Sequence, residues 1–172
     1  LYLAIALLSG ILQARSTGQG CVVDAAIVDG SAHSMSLFMA AQSKGIVSEE
    51  RGQSVHDASH FYATYRCVDG KYITTGSVAH PFYRLLLGRL GLQGHPLFQQ
   101  QWNRALWPEQ QERMQAVFET RTRDEWWELF KGSDACVAPV LSPREAAAEP
   151  HNLQRGTFFE SEGFLQAAPA PR

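Results

Sequence analysis

Cysteine is scarce in this chain. The three residues, Cys21, Cys67 and Cys136, are far apart and odd in number. No Cys-x-x-Cys pair exists, which argues against a zinc site or a disulfide framework and fits a reducing cytoplasm. An excess of one charge is lacking too. Fifteen Lys and Arg stand against 17 Asp and Glu, for a net charge of −2 and no basic stripe, so nucleic acid is not an expected partner. The most apolar stretch, Leu1 to Leu12, falls short of the roughly 20 residues that span a bilayer, and no membrane association is expected. It has no basic region before it and no small-residue cleavage site, unlike a secretory leader. Gly18-Gln19-Gly20 lacks the third glycine and the preceding strand of a dinucleotide fingerprint. No internal repeat and no convincing metal-ligand spacing occur.

What is present describes a globular chain. Its 172 residues are 45% hydrophobic and 19% charged, enough for one domain or two small ones with a real core. Leu1 to Arg15 reads as a buried helix that starts inside its own pattern, so the sequence looks like a fragment. Ser16-Thr17-Gly18-Gln19-Gly20 stops that helix. Cys21 to Val28 is apolar, with Val22-Val23 as a short strand, and helical character resumes from Ala32 to Lys44. Ser43 to Ser54 is polar and reads as a linker. The clearest local signal is Val68-Asp69-Gly70-Lys71-Tyr72, a hairpin joining strands Phe61–Arg66 and Tyr72–Ser77, because glycine accepts the positive φ of a tight corner. Pro81 opens a helix with Phe82, Leu85, Leu86 and Leu90 on one face, ending at Gly91. Pro108 opens another, with Met114, Val117 and Phe118 inward. Thr122 caps a third, whose Trp126, Trp127, Leu129 and Phe130 form an apolar face. Ala135 to Leu141 is extended, Ser142-Pro143 starts a helix, and the tail from Pro150 carries little regular signal. The fold class is α/β.

Several residues admit a chemical reading beside a structural one. His56, Asp57, His60 and His80 could gather near a substrate, since histidine titrates near neutrality. Asp24, at a strand–helix junction, reads as a cap or buried acceptor rather than a catalytic acid. Cys136, among apolar neighbours and without an evident base, reads as a small buried core residue rather than a nucleophile. Phe61, Tyr62 and Val78 either face a ligand or pack in the core. Of Trp126 and Trp127, one is expected inward and one at an interface. His151 reads as structural.

A series of short runs carries a resemblance. Gly18-Gln19-Gly20 leads into Val22-Val23-Asp24-Ala25-Ala26. Arg51-Gly52 and Asp69-Gly70-Lys71-Tyr72 follow, then the Gly76 loop and Asp134-Ala135-Cys136-Val137-Ala138-Pro139-Val140. Pro150-His151, Arg155-Gly156-Thr157-Phe158 and Pro169-Ala170-Pro171-Arg172 complete the order. Together they resemble the family III CoA-transferases and α-methylacyl-CoA racemases, with the racemase branch the better fit. The resemblance implies a fragment lacking the amino-terminal half. Residues 1–42 would end a Rossmann-like CoA-binding large domain, 43–60 would be a linker, 61–134 a small α+β domain, and 135–172 a return toward the large domain. It implies racemisation of a 2-methylacyl-CoA by α-proton removal and return, or CoA transfer to a carboxylate, on an interlocked homodimer with no cofactor beyond the thioester. A non-catalytic dimerisation or acyl-CoA-binding module is the reading from another class. The family's catalytic His and Asp motifs have no counterpart here and would lie upstream of Leu1. The family's small-domain Glu falls on Ala79, beside His80. Tyr62, Val78 and Ala79 match substrate-binding positions, and His80, His56 and Asp57 are the remaining candidates for acid–base work.

Overall fold

A computed structural model describes residues 1–170. They fall into two units, Leu1–Val55 and the chain from His56 onward.

The first unit is helical. Helix α1 (Tyr2–Thr17) stops where Gly18 takes φ 74°, a left-handed cap that costs glycine nothing. Helices α2 (Ile27–Ser34) and α3 (Ser36–Ser43) follow, separated only at Met35. The expectation of a buried first helix is not met. No residue of α1 is buried, and Leu8 and Leu12 stay 62% and 66% exposed. Its apolar residues surround the helix rather than forming one stripe, so no single neighbour could cover them. Val22-Val23 is not a strand but irregular chain. It returns along α1, where a Cβ on Gly10 would meet Val23 Cγ2 at 3.0 Å. Nor does Asp24 cap a helix. It is exposed, and Ala26 occupies the N-cap of α2 with no side-chain hydrogen bond.

The second unit is built around a small sheet. A single turn, α4 (Val55–Ala58), precedes β1 (Thr64–Arg66) and β2 (Tyr72–Thr75), and β3 (Val137–Pro139) completes the antiparallel order β1-β2-β3. Thr64 faces Thr74, Tyr65 faces Ile73 and Arg66 faces Tyr72, while Thr75 pairs with Val137. The Asp69-Gly70 corner forms as expected. The Gly70 N–H donates to the Cys67 carbonyl at 2.9 Å, the Cys67 N–H donates to Lys71 at 2.8 Å, and Gly70 has φ 75°. The Asp69 carboxylate accepts from the backbone of Lys71 and of Arg123, tying the hairpin to the later chain.

Strand alternation sends Tyr65, Ile73, Thr75 and Val137 inward. Helices α5 (His80–Leu90), α6 (Trp107–Phe118) and α7 (Arg123–Phe130) supply the rest of the core. Phe118 stacks on Tyr65 at 4.8 Å and meets Trp126 edge-on at 5.3 Å. Trp126 is the inward tryptophan, its indole N–H donating to the Phe118 carbonyl, and Trp127 is half-buried. Each such ring contributes about 2–3 kcal/mol through area removed from water. The inward face of α5 is Tyr83, Leu86, Leu87 and Leu90, not the expected Phe82 and Leu85. A tyrosine whose hydroxyl finds a buried partner competes well for the interior. Thr122 caps α7 in a reciprocal box with Glu125, and Ser142 does the same with Glu145 at α8 (Pro143–Ala148). Buried Arg123 donates to Asp124, Glu145 and the Val140 carbonyl, which clamps α7 to the segment after β3. That guanidinium, with the Ser142 N–H and Lys71, holds the Glu145 carboxyl well below the usual range.

The tail holds more structure than its sequence suggested. Helix α9 (Pro150–Arg155) leads into a hairpin of β4 (Phe158–Ser161) and β5 (Phe164–Ala167). Glu162 and Gly163 both have positive φ at its corner. Glutamate is an unusual residue there, so the turn lacks the Asn or Asp that would announce it.

Candidate functional site

The aromatic entry to β1 and the exit of β2 converge on a cleft of about 550 Å³. His56 and Asp57 come from α4, Tyr62, Ala63 and Thr64 from the approach to β1, and Thr74, Thr75 and Gly76 from the end of β2. Gln111 of α6 and Cys136 before β3 close it. The Gly76 N–H donates to the Cys136 carbonyl at 2.8 Å, and a Cβ on Gly76 would sit 3.9 Å from both Cys136 Cβ and the Tyr62 ring. His56 lies edge-on to Tyr62, with ring centroids 5.1 Å apart.

The threonines spend their hydroxyl protons within the wall. Thr64 donates to Thr74, and Thr74 and Thr75 both donate to the Ala63 carbonyl. Gln111 makes no side-chain hydrogen bond among the described residues. The wall of the cleft is mixed, with a carboxylate, an amide, an imidazole and a thiol beside the Tyr62 ring.

The structure separates the histidines that the sequence grouped. His56 lines the cleft with Asp57. His60 is fully buried, with its Nε2 2.8 Å from the Tyr83 hydroxyl, and burial pulls its pKa down to about 3. It is a neutral core imidazole, closed to proton transfer at neutral pH. His80 is exposed at the start of α5 and does not line the cleft, and neither do Val78 and Ala79, also exposed. Tyr62 lines it at 40% exposure, while Phe61 is wholly in the core.

Cys136 corrects the reading of a buried thiol. Ala135 and Val137 point inward, so alternation turns Cys136 out, at φ 53°. The buried thiol is Cys67, pushed up to about 11 chiefly by desolvation. His151 is exposed on α9. The threonine row and Gln111 were missed. Outward Thr64 and Thr74 on paired strands were legible in principle from period-two alternation, but inward Thr75 was not, and no sequence signal marks Gln111. Among the described residues no cluster of three His, Cys, Asp or Glu suits a metal ion, and no helix is long and apolar enough to cross a membrane.

A sequence model of CoA-transferase family III matches residues 1–170. The chain belongs to that family. It is 36% identical over 163 residues to the α-methylacyl-CoA racemase of Mus musculus, covering 94% of this chain and 42% of that protein. The Homo sapiens racemase is 36% identical over 170 residues, 98% of this chain and 44% of its own length. The chain thus spans less than half the length of these curated relatives. Among solved structures, a hypothetical protein from Mycobacterium tuberculosis aligns over 99% of this chain and 46% of its own, with TM-score 0.73 and 17% identity. A CaiB/BaiF family protein from Brucella suis aligns over 98% and 45%, with TM-score 0.68 and 22% identity. These two likenesses show the mixed α/β fold of the family III chain. The family is one of enzymes acting on CoA thioesters.

Proposed function

We propose that this chain is part of a 2-methylacyl-CoA racemase. The 36% identity to two mammalian racemases, sustained over nearly the whole chain, carries that reading. The thioester makes the α-proton acidic. One group removes it, a second returns it on the opposite face, and donors near the thioester oxygen stabilise the enolate. The acid–base pair belongs to polypeptide ahead of Leu1, where the family's His and Asp motifs would lie. Residues 1–42 would close the CoA-binding domain, 43–60 link it to the small domain of 61–134, and 135–172 lead back. Tyr62, Val78 and Ala79 are assigned to the acyl side of the substrate. No cofactor beyond the thioester is required, and the protein is assigned to the cytoplasm.

An interlocked homodimer would give the exposed apolar residues of α1 a cover, since patches of that extent mark interaction surfaces. A monomeric full-length protein in light scattering would remove that part of the proposal.

The deciding test is deuterium uptake at the α-carbon. Full-length protein with a single 2-methylacyl-CoA epimer in D₂O is expected to give label and both epimers. CoA moving to an isotopically labelled carboxylate, without α-exchange, would instead establish a transferase. The 172-residue chain alone is expected to catalyse no exchange.

A further inference from the structure

We propose, on the racemase reading above, that Gln101 is a positioning residue whose buried amide sets the turn from Ser77 to Ala79 and so presents Val78 and Ala79 to the acyl end of the thioester. The chain leaving β2 is held by three distant segments. The Ser77 N–H donates to the Phe61 carbonyl at 2.9 Å, and the Ser77 hydroxyl donates to the Ala135 carbonyl at 2.5 Å. Neither bond engages the carbonyls of Ser77 and Val78. Both of these accept from one nitrogen, the Gln101 Nε2, at 3.2 and 2.9 Å. A primary amide carries two N–H donors, one for each carbonyl. In an extended strand successive carbonyls point to opposite sides, so two aimed at one nitrogen bend the chain. The bend brings Ala79 to the N-cap of α5 and leaves Val78 and Ala79 exposed.

Gln101 is itself fixed. Its carbonyl accepts from the Trp107 indole N–H at 2.9 Å, and both residues are buried. The amide is not there for packing. Its Oε1 is buried with no hydrogen-bond partner among the described residues. A buried acceptor left unpaired is a net cost, which an apolar side chain of the same shape would avoid. Among side chains of this length, glutamine alone supplies a pair of donors without a charge: methionine and ionised glutamate have none, and lysine brings a charge. The donor pair is therefore the property that this position keeps, and its targets are the two carbonyls of the turn.

The experiment uses the full-length protein, with folding verified by circular dichroism. Gln101→Met keeps the shape and removes both donors. Gln101→Asn keeps both donors on a side chain one methylene shorter. With a 2-methylacyl-CoA, Gln101→Met is expected to lower kcat for α-exchange by about tenfold or more, since a misplacement of about 1 Å can cost roughly 100-fold. KM should stay within about threefold, and Gln101→Asn should recover part of the loss. Amide exchange across residues 77–80, read by mass spectrometry, should be faster in the methionine variant. A folded Gln101→Met with wild-type kcat, or a loss carried by KM alone, overturns the proposal. If that variant does not fold, wild-type kcat and wild-type amide exchange in Gln101→Asn overturn it instead. Wild-type protein that moves CoA to a carboxylate without α-exchange overturns the racemase reading, and the same kcat comparison made on transfer then decides the role of Gln101.

Discussion

The two units use similar apolar content to opposite effect. Residues Leu1–Val55 contain three helices without one buried side chain, although Leu3, Ile5, Leu8 and Leu12 lie on the first of them. The unit from His56 onward encloses Phe61, Tyr65, Ile73, Leu86, Trp107, Phe118, Trp126 and Phe130. The difference is pattern rather than quantity. A sheet face and amphipathic helices turn one side inward and close on each other, whereas a helix apolar on every side needs neighbours on every side.

That comparison breaks most sharply at Phe118. Phe118→Ala should cost about 3–5 kcal/mol, because the ring is fully buried between Tyr65 and Trp126. Leu8→Ala on exposed α1 should change stability by less than about 0.5 kcal/mol. Urea unfolding reports both, followed by tryptophan fluorescence for the second unit, which holds all four tryptophans, and by circular dichroism for the helical first unit, and equal costs would erase the contrast.

Acid sharpens it next. Buried His60 has its pKa lowered from 6.5 to about 3. The unfolded chain therefore binds a proton that the native imidazole refuses. Stability from this group is full above pH 6.5 and falls with decreasing pH, by about 1.4 kcal/mol per unit, until the native value is reached. His60→Gln should flatten that acid limb in thermal melts between pH 6 and pH 4. An unchanged limb would show that His60 is not its source.

Thiol chemistry is the smallest effect. Cys21 and Cys136 are exposed, while Cys67 is buried and its thiol raised to about 11. Iodoacetamide at neutral pH should label the first two in the native protein and Cys67 only in denaturant. Native labelling of Cys67, read by mass spectrometry, would mean that the hairpin opens locally.

Local chemistry was legible along the chain. Asp69-Gly70, the Thr122 and Ser142 caps and the helix stops at Gly18 and Gly91 formed where their residue types demanded. Asp24 misled because a cap needs the right backbone, which Ala26 holds instead. The face of α5 misled because Tyr83 reaches both His60 and the Phe98 carbonyl, contacts that spacing alone cannot reveal. The hairpin after Gly156 was hidden by a turn whose first corner residue is glutamate. Gln111 joined the candidate cleft from a different helix, with nothing nearby in sequence to mark it.

The amino-acid sequence by itself determined the turns, the caps, the aromatic composition of the core and membership in a family of CoA-thioester enzymes. These follow from a few adjacent side chains or from the order of short motifs. Only the tertiary structure decided that His56 faces the cleft while His60 is sealed in the core, and that Cys136 rather than Cys67 meets solvent. Burial and proximity arise when distant segments pack, and the same imidazole or thiol acquires its chemistry from what then surrounds it.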